Sequence, residues 1–189
     1  MYANPGDEQL MIPGSGFNIG ATLTRPSGAA LPARLPAVVL IPGSGAVDRD
    51  ETVAGIPIFG QLAGRLAEAG FLVVRYDKRG VGQSGGRTES ATLSDFAEDA
   101  RAIVNWLSRR RDVDSKRIAL VGHSEGSWVA LLAAARENKV AALALLAAPS
   151  ATGAELILEQ QAHALAMANA PAAEREQKIA LQKQIDRKS

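Results

Sequence analysis

The sequence predicts an α/β fold built on a mostly parallel sheet with helices on both faces. Short apolar runs alternate four times with stretches of helical spacing, Gly-rich loops follow the apolar runs, and runs such as Ala37 to Ile41 (AVVLI) have no polar side. A strand that is apolar on both faces suits burial between two helical layers. Alternating such strands with helices implies right-handed crossovers and ligand sites at the carboxyl ends of the strands.

The elements are expected in this order. Glu8 to Ile12 and Phe17 to Thr24 are β-like runs joined by Pro13-Gly-Ser-Gly16, a hairpin signal. A Pro- and Ala-rich connection, Pro26 to Pro36, leads to the buried strand Ala37 to Ile41. Ile58 to Ala69 has helical spacing through Phe59, Leu62 and Leu66, and Gly70 is placed to end it. Phe71 to Tyr76 is the next strand. Leu93 to Leu107 puts Phe96, Ala100, Ile103, Val104 and Leu107 on one face, with Asp95, Glu98 and Asp99 at its positive end. The strand Arg117 to Val121, a helix over Ser127 to Glu137 and the strand Val140 to Leu146 follow. Residues 1–153 therefore form the core. Residues 154–189 change character: Glu155 to Ala170 and Ala172 to Lys188 read as two cap-like helices hinged at Pro171, the second with few bulky apolar positions.

Composition narrows the function. The 21 basic and 20 acidic residues are mixed along the 189-residue chain, for a net charge of +1, so no electrostatic footprint for nucleic acid or a membrane surface exists. Arg109-Arg110-Arg111 closes a predicted helix, where positive charge complements the carbonyl end of the dipole. The absence of cysteine excludes disulfides, thiolate zinc sites and thiol nucleophiles. The longest apolar stretch, Val140 to Pro149, is far short of the ~20 residues that span a bilayer. The first residues carry neither a basic leader nor an apolar core, so a cytoplasmic location is expected if that end is native and a secreted or periplasmic one if a leader preceded it.

Gly122-His123-Ser124-Glu125-Gly126 lies between a predicted strand and a predicted helix. A Gly-x-Ser-x-Gly turn in that context is what a nucleophile elbow requires: the central residue is forced into a strained backbone and the glycines let strand and helix approach. Ser124 is the candidate nucleophile. A bland alternative is a small-residue turn that merely caps the helix.

The elbow, Ile41-Pro42-Gly43-Ser44-Gly45 and Tyr76-Asp77-Lys78-Arg79-Gly80-Val81-Gly82-Gln83-Ser84 occur in the order seen in the α/β-hydrolase superfamily. In detail, residues 42–50 and the elbow resemble bacterial esterases of the serine aminopeptidase-like, or acyl-thioesterase-like, branch. The resemblance covers about residues 8–165 and implies a carboxylic-ester hydrolase taking a small-molecule ester, with thioesterase, peptidase and acyltransferase relatives. It implies an oxyanion hole from the backbone N–H groups of Ser44 and Glu125. Gly43 and Gly45 would give backbone access there, with Gly122, His123 and Gly126 supporting the elbow. Asp77, Arg79, Asp48 and Arg49 are expected to form an ion-pair and hydrogen-bond scaffold around the site. No metal or cofactor is implied, since no spaced His/Asp/Glu cluster occurs and an activated serine needs none.

The rest of a catalytic triad is not legible. The superfamily order is Ser, then Asp or Glu, then His, on loops after later strands. Here the loop after Leu146 holds no carboxylate, and the two histidines are His123, which diverges from Ser124 in so tight a turn, and His163 in a cap-like helix. Two readings follow: a chain that is a piece of the fold, lacking its C-terminal part and ending in cap helices, or an unusual base. Val140 to Leu146 would then be an uncovered apolar edge, open to self-association. Weak or absent esterase activity is expected of this chain alone. Two other classes were weighed. Gly80-Val-Gly-Gln-Ser-Gly85 matches a dinucleotide-binding pattern, but the next helix begins too late to present its N-terminus to a pyrophosphate. A non-catalytic binding module that keeps the elbow as a structural turn is the remaining alternative.

Overall fold

A computed structural model describes residues 2–28 and 31–186 and separates into two compact units, residues 1–148 and 149–189. In the first, β1 (Asp7–Pro13) and β2 (Asn18–Thr24) form the expected hairpin, closed by the Gly14 amide donating to the Phe17 carbonyl at 2.9 Å. Next come β3 (Leu35–Ile41), a small hairpin of β4 (Thr52–Val53) and β5 (Ile56–Pro57), α1 (Ile58–Glu68) and β6 (Leu72–Tyr76). Then follow α2 (Leu93–Ser108), β7 (Val113–His123), α3 (Glu125–Ala134) and β8 (Val140–Leu146). The main sheet runs β1-β2-β6-β3-β7-β8, and all pairs from β6 to β8 are parallel.

The two-residue repeat of a strand decides which helix each side chain meets. In β3, Val38 and Leu40 pack with Val73 against Phe59 and Ala63 of α1. Their neighbours Val39 and Ile41 turn to the other layer, which includes Ala100, Ile103 and Leu107 of α2 and Val129 and Ala133 of α3. Both Val39 and Leu40 are fully buried, so β3 is the apolar-faced central strand its composition demands. Burial on this scale contributes about 1.5–3 kcal/mol for each such side chain. Thr92 caps α2 through a reciprocal box with Asp95, fixing its start at Leu93.

Some boundaries differ from expectation. β7 begins at Val113 rather than Arg117, because Val113 is buried and pairs with Leu35, while the polar Asp114 to Arg117 bridge a register irregularity between them. β4 and β5 were unpredicted, since two-residue strands show no periodicity. α3 begins directly after Ser124 rather than at Ser127. Arg110 of the basic cluster is committed to Asp112, at 2.8 and 2.9 Å, and stacks 4.7 Å from the Trp106 ring. This side-chain pairing adds a role to the dipole complement expected there.

The second unit holds α4 (Gly153–Met167) and α5 (Ala172–Asp186). Thr152 and Glu155 form a second capping box, which starts α4 earlier than apolar spacing suggested. Among the described residues α4 buries none fully, in keeping with its diffuse apolar pattern. The last two residues predicted for α5, Arg187 and Lys188, lie outside the described residues, as do Ala29 and Ala30 of the Pro-rich connection.

Candidate active site

The turn at Ser124 joins β7 to α3 with φ +52° and ψ −121°, a conformation that costs a non-glycine residue on the order of 1–3 kcal/mol. The neighbours explain why it persists. A Cβ on Gly122 would overlap the Gly126 carbonyl, and one on Gly126 would overlap the Ile41 and Pro42 carbonyls. Only glycine at both places lets β7, α3 and the end of β3 converge. The Ser124 amide donates to the Leu146 carbonyl at the end of β8 (2.9 Å), and Ser127 donates its hydroxyl to the Gly122 carbonyl (2.9 Å). Ser127 is fully buried. No signal in the sequence marked that brace beyond a hydroxyl one residue past the motif.

The loop after β3 lies beside this turn. Its Gly43 amide donates to Glu51 Oε1 at 2.7 Å, and its Gly43 carbonyl accepts from Lys78 Nζ at 3.0 Å. Lys78 also donates to Glu125 Oε1 at 2.9 Å and sits 4.3 Å above the Phe96 ring. Ser44 and Gly45 are exposed, and the Ser44 amide has no hydrogen-bond partner among the described residues. Glu125 opens α3, so its amide has no intrahelical acceptor. Among the described residues neither the Ser44 amide, in the loop after β3, nor the Glu125 amide, at the start of α3, has a hydrogen-bond partner. Glu51 and Lys78 were missed because an isolated Glu and Lys in loops carry no pattern.

The expected scaffold of ion pairs and hydrogen bonds is present in part. Arg49 and Asp77 form a buried fork, and Asp77 also accepts from the amides of Arg49 (2.9 Å) and Gln83 (2.8 Å). Burial pushes the Asp77 carboxyl up, but the Arg49 guanidinium and these two amides outweigh it and hold the group below the usual carboxylate range. Arg79 does not join this scaffold. It reaches α2 instead and grips Asp99 at 2.8 and 2.9 Å. Burial raises the Asp99 carboxyl despite that contact. Asp48 forms no ion pair among the described residues either; it is exposed and accepts the Asp50 amide at 3.1 Å. The second buried arginine is Arg75 of β6, held by Asp50 (3.0 Å) and Asp7 (2.9 Å). Hidden in an apolar run, it was not singled out.

Neither histidine is joined to Ser124 by a hydrogen bond among the described residues. His123 points its Nδ1 at Glu51 Oε1, 2.8 Å away, as expected of a side chain that diverges from its neighbour. His163 is exposed on α4. The Gly80 to Gly85 segment closes on itself through Gly80 N–H to the Gly85 carbonyl (2.8 Å), and α2 starts only at Leu93, so no helix N-terminus faces it. A cavity of about 290 Å³ opens between the loops after β3 and β6, lined by Ala46, Val47, Asp48, Thr52 and Val81. Among the described residues no cluster of His, Asp and Glu could hold a metal ion.

Comparison with known proteins places this geometry in a family. Residues 56–187 match the family of serine aminopeptidases S33. Esterase EstD of Thermotoga maritima is 36% identical over 126 residues, 67% of this chain and 30% of EstD. The mitochondrial palmitoyl-protein thioesterase ABHD10 of Homo sapiens is 33% identical over 114 residues, 60% of this chain and 33% of that protein. Among solved structures, the α/β hydrolase GrgF from Penicillium sp. sh18 superposes with a TM-score of 0.67 at 26% identity, over 85% of this chain and 52% of GrgF. Est1E of Butyrivibrio proteoclasticus, solved with ferulic acid bound, gives 0.58 at 27% identity over 71% and 50%. The chain spans about a third of the length of these curated relatives and about half of these solved structures. The mixed sheet, its strand order, the strained serine turn and these matches together make the chain a member of the serine aminopeptidase S33 family within the α/β-hydrolase superfamily.

Proposed function

We infer that the chain carries the nucleophile and oxyanion machinery of a serine hydrolase acting on carboxylic esters through an acyl-enzyme intermediate. The observation that carries this reading is the backbone of Ser124: φ +52° at a strand-to-helix turn braced by Gly122 and Gly126. Such strain persists where a side chain must project from the sheet edge rather than pack. Ser124 Oγ attacks the ester carbonyl, and the amides of Ser44 and Glu125 receive the negative charge. A donor of this kind is worth about 2.7–4 kcal/mol in the transition state.

The base and acid of the triad are not supplied by any group bonded to Ser124 among the described residues, so turnover by this chain alone is proposed to be weak. The likeness to a palmitoyl-protein thioesterase supports thioesters as a second substrate class. A fluorophosphonate probe tests the reading. Covalent labelling mapped to Ser124 and lost in Ser124→Ala supports an activated serine; an unlabelled native chain supports the binding-module alternative instead.

A further inference from the structure

The two peptide planes that flank Gly43 are each held by a buried charged group that the hydrolase chemistry does not itself use. Glu51, 3% exposed, takes the Gly43 amide, and Lys78, 4% exposed, takes the Gly43 carbonyl. Glu51 fixes the Pro42–Gly43 plane and Lys78 the Gly43–Ser44 plane; the latter is trans, so the Ser44 N–H points opposite to the Gly43 carbonyl and therefore away from Lys78. The same Lys78 ammonium reaches Glu125, the residue that supplies the other proposed donor. One cation thus spans the two segments whose spacing an oxyanion hole depends on.

Glu51 shows signs of being held for a purpose. Its φ is +44°, in a region unfavourable for a glutamate. Its Oε1 accepts from both Gly43 and His123, while Oε2 is buried without a partner. A surface turn would not retain a strained residue with a half-satisfied buried carboxylate. A surrounding structure that over-determines the residue would.

We propose that Glu51 and Lys78 are positioning residues that fix the direction of the Ser44 N–H and its distance from the Glu125 N–H, so that the two amides converge on one oxyanion. His123 supports the arrangement by holding Glu51. The proposal rests on the hydrolase reading of Ser124.

Saturation kinetics of fluorophosphonate labelling test it, because the phosphonyl oxygen develops charge as Ser124 Oγ attacks phosphorus, its proton passes to solvent water and fluoride leaves. The maximal labelling rate reports the donors, and the half-saturating concentration reports ground-state binding. Lys78→Met keeps the stem over Phe96 but removes the ammonium, and is expected to lower the maximal rate on the order of tenfold to a hundredfold. The half-saturating concentration should stay within about twofold. Glu51→Leu should act alike, and Glu51→Gln, which keeps an acceptor for the Gly43 amide, should recover most of the loss. Loss of fold would instead lower the final labelled fraction, which is measured alongside. Native maximal rates in both Lys78→Met and Glu51→Leu, or a loss that appears only as weaker binding, overturn the positioning role while leaving Ser124 intact. An unlabelled native chain overturns the hydrolase reading and this proposal with it.

Discussion

Arg49 and Asp77 meet as a fork, with Nε 3.0 Å from Oδ1 and Nη2 2.6 Å from Oδ2, and the two side chains are 1% and 3% exposed. The pair ties the loop after β3 to the loop after β6, the two loops that carry Gly43 and Lys78. Arg49 spends its remaining donors on Gln9, Thr22 and Gln83, so the charge is fully committed.

Removing one member strands the other. Asp77→Ala is expected to destabilise the chain by about 3 kcal/mol, since a buried guanidinium without its carboxylate costs more than the pair contributes. Urea unfolding measures it; a midpoint within experimental scatter of the native value contradicts the claim.

The strain at Ser124 should be recoverable as stability. Ser124→Gly is expected to gain about 1 kcal/mol, because glycine adopts a positive φ freely even after its larger unfolded-state entropy is counted. The same substitution abolishes labelling. Ser124→Ala should lose the label without that gain, and equal stabilities for the two variants would show that the turn is not strained.

Gly126→Ala tests convergence of the elements. Its methyl group would meet the Ile41 and Pro42 carbonyls, which belong to the central strand and its exit and cannot retreat. A loss of about 3 kcal/mol is expected by thermal or urea unfolding, together with loss of Ser124 labelling. A stable, labelled variant would mean that the loop after β3 moves freely.

Acid should weaken the fold. Asp112 lies at about 2, chiefly through the hydrogen bonds from Arg110, with burial opposing and Arg25 assisting, and Asp77 is also held below 3.8. A carboxylate lowered by folding binds fewer protons when folded, so its contribution is complete above about 3.8 and is lost as pH falls towards 2. Asp99, raised by burial, works oppositely and loses its contribution as pH climbs past 3.8. Urea midpoints are expected to fall from about pH 4 to pH 2, with Asp112→Asn flattening part of the slope. A midpoint that rises on acidification would show that Asp99 dominates.

β8 is the last strand of its sheet, and Leu143, Leu145 and Leu146 are 37–40% exposed. Concentration-dependent self-association through this edge is the expected behaviour of an unpaired apolar strand. Sedimentation at rising concentration should show it, and Leu145→Lys should reduce it. An unchanged monomer at all concentrations would remove the edge from consideration.

The strand-and-helix order and the serine turn were legible in the sequence because they are local. Ala37 to Ile41 can only be a doubly buried strand, and Gly-x-Ser-x-Gly between strand and helix leaves one backbone solution. The Ser44 and Glu125 amides were named by resemblance alone, from their offsets to those strands. The partners of charged side chains were not. Arg79 and Asp77 are two residues apart yet serve different networks, because α2 brings Asp99 to one while the loop after β3 brings Arg49 to the other. Glu51 and Lys78 meet Gly43 across 8 and 35 residues of sequence, and neither carries a pattern that announces it. By itself the sequence determined which segments become the strands of the main sheet and where the strained serine stands, through hydrophobic period and steric necessity. Only the tertiary structure decided which buried charges pair around it, because a Coulombic partner is selected by distance in space and the chain does not encode that distance locally.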